Sequence, residues 1–296
     1  MKGENVFRSK TYQLHPHPPA HLPWSEYAQR LHKEWVSLLD SSESAQEANV
    51  QEFLECHPCM LPGPFGLLGE SGHHPYPGAV ITQPVLQGLD LKRPDFLWLA
   101  QDSGTLYPVL IEIETPHKKW FTQKEVQHAD LTKGLTQLAT WRAWLERPEN
   151  RAIFLSFYNL PLWMREKAFH PIFVLVHGRA KEFEHKPRLN AMRLQLSRQN
   201  EVLMTFDRLV PQEKARELWC VKKDQDNYCA VSVPPVTTLG PNLASYRSII
   251  RNRDCAIAKS EWLGSERKTF LTDRLGYWDE WTFSGGSGIR STSDTE

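Results

Sequence analysis

The stretch VLIEIETP, residues 109–116, constrains the fold more than any other part of the chain. Val109, Leu110, Ile111 and Ile113 form a β-branched-rich run of strand length that Pro116 closes. Side chains alternate across a strand. Glu112 and Glu114 therefore leave the backbone on one face with Leu110, while Val109, Ile111 and Ile113 point the other way. Two anions at that spacing repel each other, and the repulsion is relieved by protonation, by solvent or by a bound cation. The plain alternative to a site is a strand with one solvated face.

A third acid lies upstream in LKRPDFLWL, where Asp95 precedes the apolar Phe96 to Leu99, and the polar AQDSGT before Tyr107 reads as a turn. The two runs make a hairpin. Antiparallel pairing brings Asp95 alongside Glu112, although the turn length leaves the register open. Asp95, Glu112 and Glu114 on adjacent strands would offer hard oxygen ligands suited to Mg²⁺ or Mn²⁺, with positions left for water and phosphate oxygens.

Composition narrows the classes. None of the 296 residues lies in an apolar run beyond strand length, so no membrane span is expected. The start, MKGENVFRSKTYQLHPHPPAHLPW, is polar and proline-punctuated rather than a secretory signal, and a cytoplasmic location is the default expectation. Lys plus Arg number 35 and Asp plus Glu number 35, so any phosphate binding must come from local patches rather than from net charge. Five cysteines make an odd set without the spacing of a disulfide framework. CHPC, Cys56 to Cys59, has the form of a redox motif, but it follows a helical pattern and finds no second ligand pair downstream.

Along the chain, an extended arm over 1–22 leads to a helix from Trp24 or Ser25 to Leu39 and a second over Ser44 to Glu55. A strand over Val80 to Leu86, the Asp95 hairpin and a long helix over Glu125 to Glu146 follow. RAIFLSFY and HPIFVLVHGRA read as two further strands, KPRLNAMRLQLSRQN as a helix and EVLMTFDRLV as a last strand. The pattern predicts an α/β or α+β core over 44–212, with an amino-terminal arm and helix over 1–43. An accessory strand pair and basic helical region would span 213–283, and 284–296 a disordered tail.

EANVQEFLECHPCML, RPDFLWL, VLIEIETP, HADLTKGLTQLATWRAWL and FVLVHGRA through VLMTFDRLV, taken in this order, resemble the Shedu family of anti-phage proteins over about residues 44–212. The resemblance implies a PD-(D/E)xK restriction-endonuclease-like core, a mixed sheet flanked by helices. It implies metal-binding roles for Asp95 and Glu112, a helix acid at Glu47 that completes the site, and a helix glutamine at Gln137. It also implies oligomers and DNA as partner. Glu114 departs from the pattern, because that position usually carries lysine, which orients the attacking water and neutralises phosphate charge. Two readings follow. Glu114 is a further metal ligand, with Lys118 or Lys119 replacing the lost ammonium, or catalysis is lost and the fold is a sensor or scaffold for nucleic acid or a phage-derived trigger. Expected DNA contacts are Arg179, Lys181, Lys186, Arg188, Arg193 and Arg198, with Arg247, Arg251, Arg253, Arg267 and Lys268 further on.

Overall fold

The computed structural model describes residues 11–67, 73–89, 93–286 and 294–296. Its centre is a nine-stranded mixed sheet among the described residues: β1 (Tyr76–Thr82), β2 (Phe96–Gln101), β3 (Thr105–Ile113), β4 (Ala168–Phe169), β5 (Ile172–Val176), β6 (Glu201–Met204), β7 (Trp219–Asp224), β8 (Asn227–Ser232) and β9 (Ile250–Arg251). The spatial order is β6-β5-β3-β2-β1-β7-β8-β9, with β4 also pairing β3. The expected hairpin forms as β2 and β3, in a register that sets Phe96 against Ile111 and Leu97 against Leu110. β3 runs parallel to β5, so its far edge is covered and Val109 to Ile113 are buried on both faces.

The alternation read from the sequence sorts these side chains into two cores. On one face Val109, Ile111 and Ile113 pack with Phe96, Trp98 and Val174 beneath α1 (Trp24–Asp40) and α2 (Glu47–Cys56), which contribute Leu31, Trp35, Val50 and Leu54. On the other, Leu110, Leu97 and Leu175 meet Leu131, Leu138 and Trp141 of α3 (Ala129–Leu145). Gly134 lets α3 settle on the sheet, because a Cβ there would stand 3.0 Å from the Leu175 side chain.

One expected strand is a helix. RAIFLSFY lies within or just after α4 (Pro148–Phe157), which has Pro at its first turn and buries Phe154 and Tyr158, four apart, while Ile153 is exposed. Pattern length alone does not separate a short buried strand from a helix, and here the helical period won. β1 also begins and ends about four residues earlier than expected, since Gln83 turns the chain at φ 45°.

The chain continues through α5 (Leu162–Arg165), α6 (Pro187–Leu194), α7 (Pro241–Arg247), α8 (Arg253–Lys259) and α9 (Ser265–Phe283). The strand pair expected over 213–283 does not stand apart. β7 pairs in parallel with β1 and so extends the same sheet. Of the amino-terminal arm, residues 1–10 lie outside the described residues, and Tyr12 packs between Trp278 and Trp281 of α9. Of the tail expected to be disordered, 287–293 also lie outside the described residues. Glu296, by contrast, is buried and ion-paired to Arg267. Among the described residues no helix is long and apolar enough to cross a membrane.

Candidate active site

The carboxyl end of β3 places the strand acids. Extending the Phe96–Ile111 register by one residue sets Asp95 opposite Glu112, and the backbone agrees: the Asp95 N–H donates to the Ile111 carbonyl at 2.9 Å. Asp95 Oδ2 in turn accepts from the Ile113 N–H at 2.7 Å. Directly opposed residues share a face, so the two carboxyl groups bear on each other. Two carboxyl groups so placed cannot both ionise without strong repulsion. Burial comes first among the causes that push both of their pKa values well above the carboxylate range, and their mutual repulsion with Glu47 and Glu114 adds to it. Glu112 Oε2 is buried and has no hydrogen-bond partner.

Glu114 lies one step past the strand, where its N–H donates to the Val176 carbonyl at 2.9 Å. Its carboxylate is not a third member of the pair. It accepts a hydrogen bond from Lys118 Nζ instead, closing an ion pair four residues long. Glu47, in the first turn of α2, is exposed, and its carboxyl is held up by partial desolvation and by Glu114, with Lys118 opposing. The helix N-terminus favours an anion there. The four acids thus converge with Glu112 and Glu114 buried, Asp95 half-buried against Glu112, and Glu47 exposed at the margin. Among the described residues no group of three or more His, Cys, Asp or Glu side chains is disposed to hold one metal ion.

Gln137, half-buried on α3, hydrogen-bonds to none of these acids among the described residues. Sequence reasoning missed the groups that shape the neighbouring loop. Glu182 is buried and spends both carboxylate oxygens on the backbone N–H groups of Trp120 and Phe121, each at 3.0 Å. His177 Nε2 donates to the Lys119 carbonyl at 3.1 Å, and Trp120 Nε1 donates to the His177 carbonyl at 2.7 Å. No local pattern announces these contacts.

The basic candidates separate. Arg179 is bound to Asp40 at 3.0 Å, Asp207 at 2.8 Å and the Leu39 carbonyl at 2.8 Å, tying α1 to the turn after β6. Arg247 and Arg267 are buried, the second donating to the Pro19 and Thr237 carbonyls. These three are structural, Arg179 through its bonds within the fold and the other two by burial. Arg188 is exposed and 3.2 Å from Glu125, Arg193 lies over the Phe183 ring at 4.5 Å, and Lys119 is exposed. At the CHPC motif both thiols are free, Cys59 is buried with its pKa pushed up to about 12 by desolvation, and His57 bonds to Tyr27 at 2.9 Å. That is packing, not redox chemistry.

The family model described as Shedu protein SduA, C-terminal, matches residues 44–210, more than half of the chain. The chain belongs to the Shedu family. No curated protein matches it significantly. The Shedu match covers α2 through β6, and so contains Glu47, Asp95, Glu112, Glu114, Lys118 and Glu182, while α1 and the segment from β7 onward fall outside it. Membership supports a role in anti-phage defence. The mixed α/β sheet flanked by helices is compatible with a PD-(D/E)xK core.

Proposed function

We propose that this Shedu chain is a divalent-metal-dependent nuclease that hydrolyses DNA phosphodiesters in anti-phage defence. The observation that carries the reading is the apposition of Asp95 and buried Glu112, whose raised pKa values keep a proton on the pair while Glu112 Oε2 is left without a partner. A cation would replace the proton and meet the orphaned oxygen. The donor chemistry fits, because Mg²⁺ is commonly held by one or two carboxylates and completes its shell with water and substrate phosphate oxygens. Asp95 and Glu112 would hold the ion, and Glu47 and Glu114 would add negative charge at its margin. When bound, Mg²⁺ or Mn²⁺ supplies neutralisation of phosphate charge and a bound water of lowered pKa.

The chain's own part is orientation and charge. The Ile113 N–H fixes the Asp95 carboxylate, and the antiparallel register fixes Glu112 against it, so the pair is preorganised before substrate arrives. In the hydrolysis a water oxygen bonds to phosphorus while one phosphorus–oxygen ester bond breaks. The water's proton passes to solvent, and the leaving sugar oxygen regains one from solvent. A second reading, a catalytically silent sensor or scaffold that binds nucleic acid or a phage-derived trigger, is favoured by the Glu114–Lys118 ion pair, which removes Glu114 from the ligand set. Self-association belongs to either reading.

The test is purified protein with Mg²⁺ or Mn²⁺ on supercoiled, linear and single-stranded DNA, beside Asp95→Ala and Glu112→Ala. Cleavage that both substitutions abolish supports the nuclease. Intact DNA in every case, with Glu112→Ala protecting cells from phage as well as the parent does, would leave only the sensor.

A further inference from the structure

Four acids gather at the end of β3, and a phosphodiester brought there meets their repulsion before it meets any ion. Lys118 is a cation whose field reaches two of them: its ammonium bonds to Glu114, and the charge of Glu47, with that of Asp130, bears on it as well. The Lys118 side chain is about 30% exposed, and that of Glu114 about 11%.

The backbone that presents Lys118 is fixed from several directions. Its own N–H donates to the Thr115 carbonyl at 3.2 Å, which turns the chain back immediately after the strand. Glu182 clamps the N–H groups of Trp120 and Phe121, and His177 holds the Lys119 carbonyl. His117 Nε2 meets Ser44 Oγ at 3.0 Å, joining the loop to the turn before Glu47. Gly178 is required beneath it, since φ is +61° and a Cβ would stand 2.7 Å from the Lys118 carbonyl oxygen. A surface lysine would not need such anchoring. The arrangement makes sense if the ammonium must be at one place when a phosphate arrives.

We propose that Lys118 is the phosphate-binding cation of this site, donating to a non-bridging oxygen of the DNA strand from the loop that Glu182, His177 and Gly178 hold against the end of β5. The inference rests on the reading of Asp95 and Glu112 as a metal-dependent DNA site. It differs from that reading in assigning the phosphate to a residue outside the strand pair. Lys119 is exposed and has no ion pair with the cluster among the described residues, so nothing fixes its ammonium at the carboxylates.

The experiment compares the full chain with Lys118→Ala and Lys118→Arg in three measurements: Mn²⁺ binding by calorimetry, anisotropy of a short labelled duplex across a salt series in Ca²⁺ buffer, and single-turnover cleavage. For Lys118→Ala the expected result is Mn²⁺ affinity unchanged or tighter, because a neighbouring positive charge is gone. The slope of log affinity on log salt should become shallower by about one, the signature of one lost phosphate contact. Cleavage should fall by about a hundredfold or more, and Lys118→Arg should recover the salt slope. A salt slope and cleavage rate identical to the parent overturn the proposal, as does loss of Mn²⁺ binding in step with cleavage, which would make Lys118 a support for the acids. If the parent itself cleaves nothing yet the salt slope still shifts, the phosphate contact stands and the nuclease reading falls.

Discussion

The raised pKa values of Asp95 and Glu112 make a stability measurement a direct test of the site. In the unfolded chain both carboxyl groups ionise near pH 4. In the folded, metal-free protein burial and mutual repulsion raise both values, so at neutral pH the native state holds at least one proton more than the unfolded state, the one on Glu112. A raised native pKa means stability that is full below the unfolded pKa and drains away as pH climbs towards the native one. One proton corresponds to about 1.4 kcal/mol per pH unit, or about 2 kcal/mol between roughly pH 6 and pH 7.5. Glu112→Gln removes the need for that proton while its amide can still donate to Asp95. The variant should therefore gain on the parent by about 2 kcal/mol across the same interval, read by urea unfolding in EDTA with all other titrations cancelling in the difference. Saturating Mn²⁺, at about a hundred times its Kd, should return about 2.7 kcal/mol to the parent and little to the variant. Parallel pH profiles for the two proteins, with no selective response to Mn²⁺, would refute a proton held on Glu112 and with it the ion-binding pair.

Other residues carry narrower expectations. Glu182→Ala leaves the buried Trp120 and Phe121 N–H groups unpaired and should cost about 2–5 kcal/mol by chemical denaturation. Gly178→Ala should cost about 1–3 kcal/mol, from φ +61° and the 2.7 Å approach to the Lys118 carbonyl, and should impair cleavage with Mn²⁺ binding preserved. Arg179→Ala should lower the unfolding midpoint while leaving the salt dependence of DNA binding unchanged, since its donors go to Asp40, Asp207 and Leu39. Cys59 should resist alkylation in the native state at pH 8 and react on unfolding, because burial pushes its thiol up to about 12.

Much of the sheet was legible because its strands carry apolar, period-two patterns, although the bounds of β1 lay about four residues from those expected. Val109, Ile111 and Ile113 part from Leu110 and Glu112 as alternation requires, and the hairpin register that sequence left open is settled by a short turn in which Asp102 accepts from the Gly104 and Thr105 N–H groups. The failures occur where one pattern serves two structures. RAIFLSFY is apolar enough for a strand, and only the capping Pro148 and the spacing of Phe154 and Tyr158 tell that it is helical. The segment after Glu213 changes in composition, yet β7 joins the sheet beside β1, because a parallel pairing between strands so far apart in sequence leaves no local trace.

The candidate site divides along the same line. Asp95 and Glu112 could be found from sequence because one antiparallel hairpin brings them together, and a hairpin is a local object. What Glu114 does could not. Its charge, read alone, makes it either a ligand or the mark of a lost lysine, and the choice depends on where a loop four residues on returns its ammonium. That loop is held by Glu182, sixty-two residues away from Trp120, and by Gly178 and His177 at the end of a different strand. The carboxylates of such a site are thus specified by strand pattern, while the balancing cation is specified by tertiary clamps. A substitution that looks like charge reversal on the strand, glutamate for lysine at 114, then need not disarm the site, provided that a clamped loop restores one positive charge at the same end of the sheet.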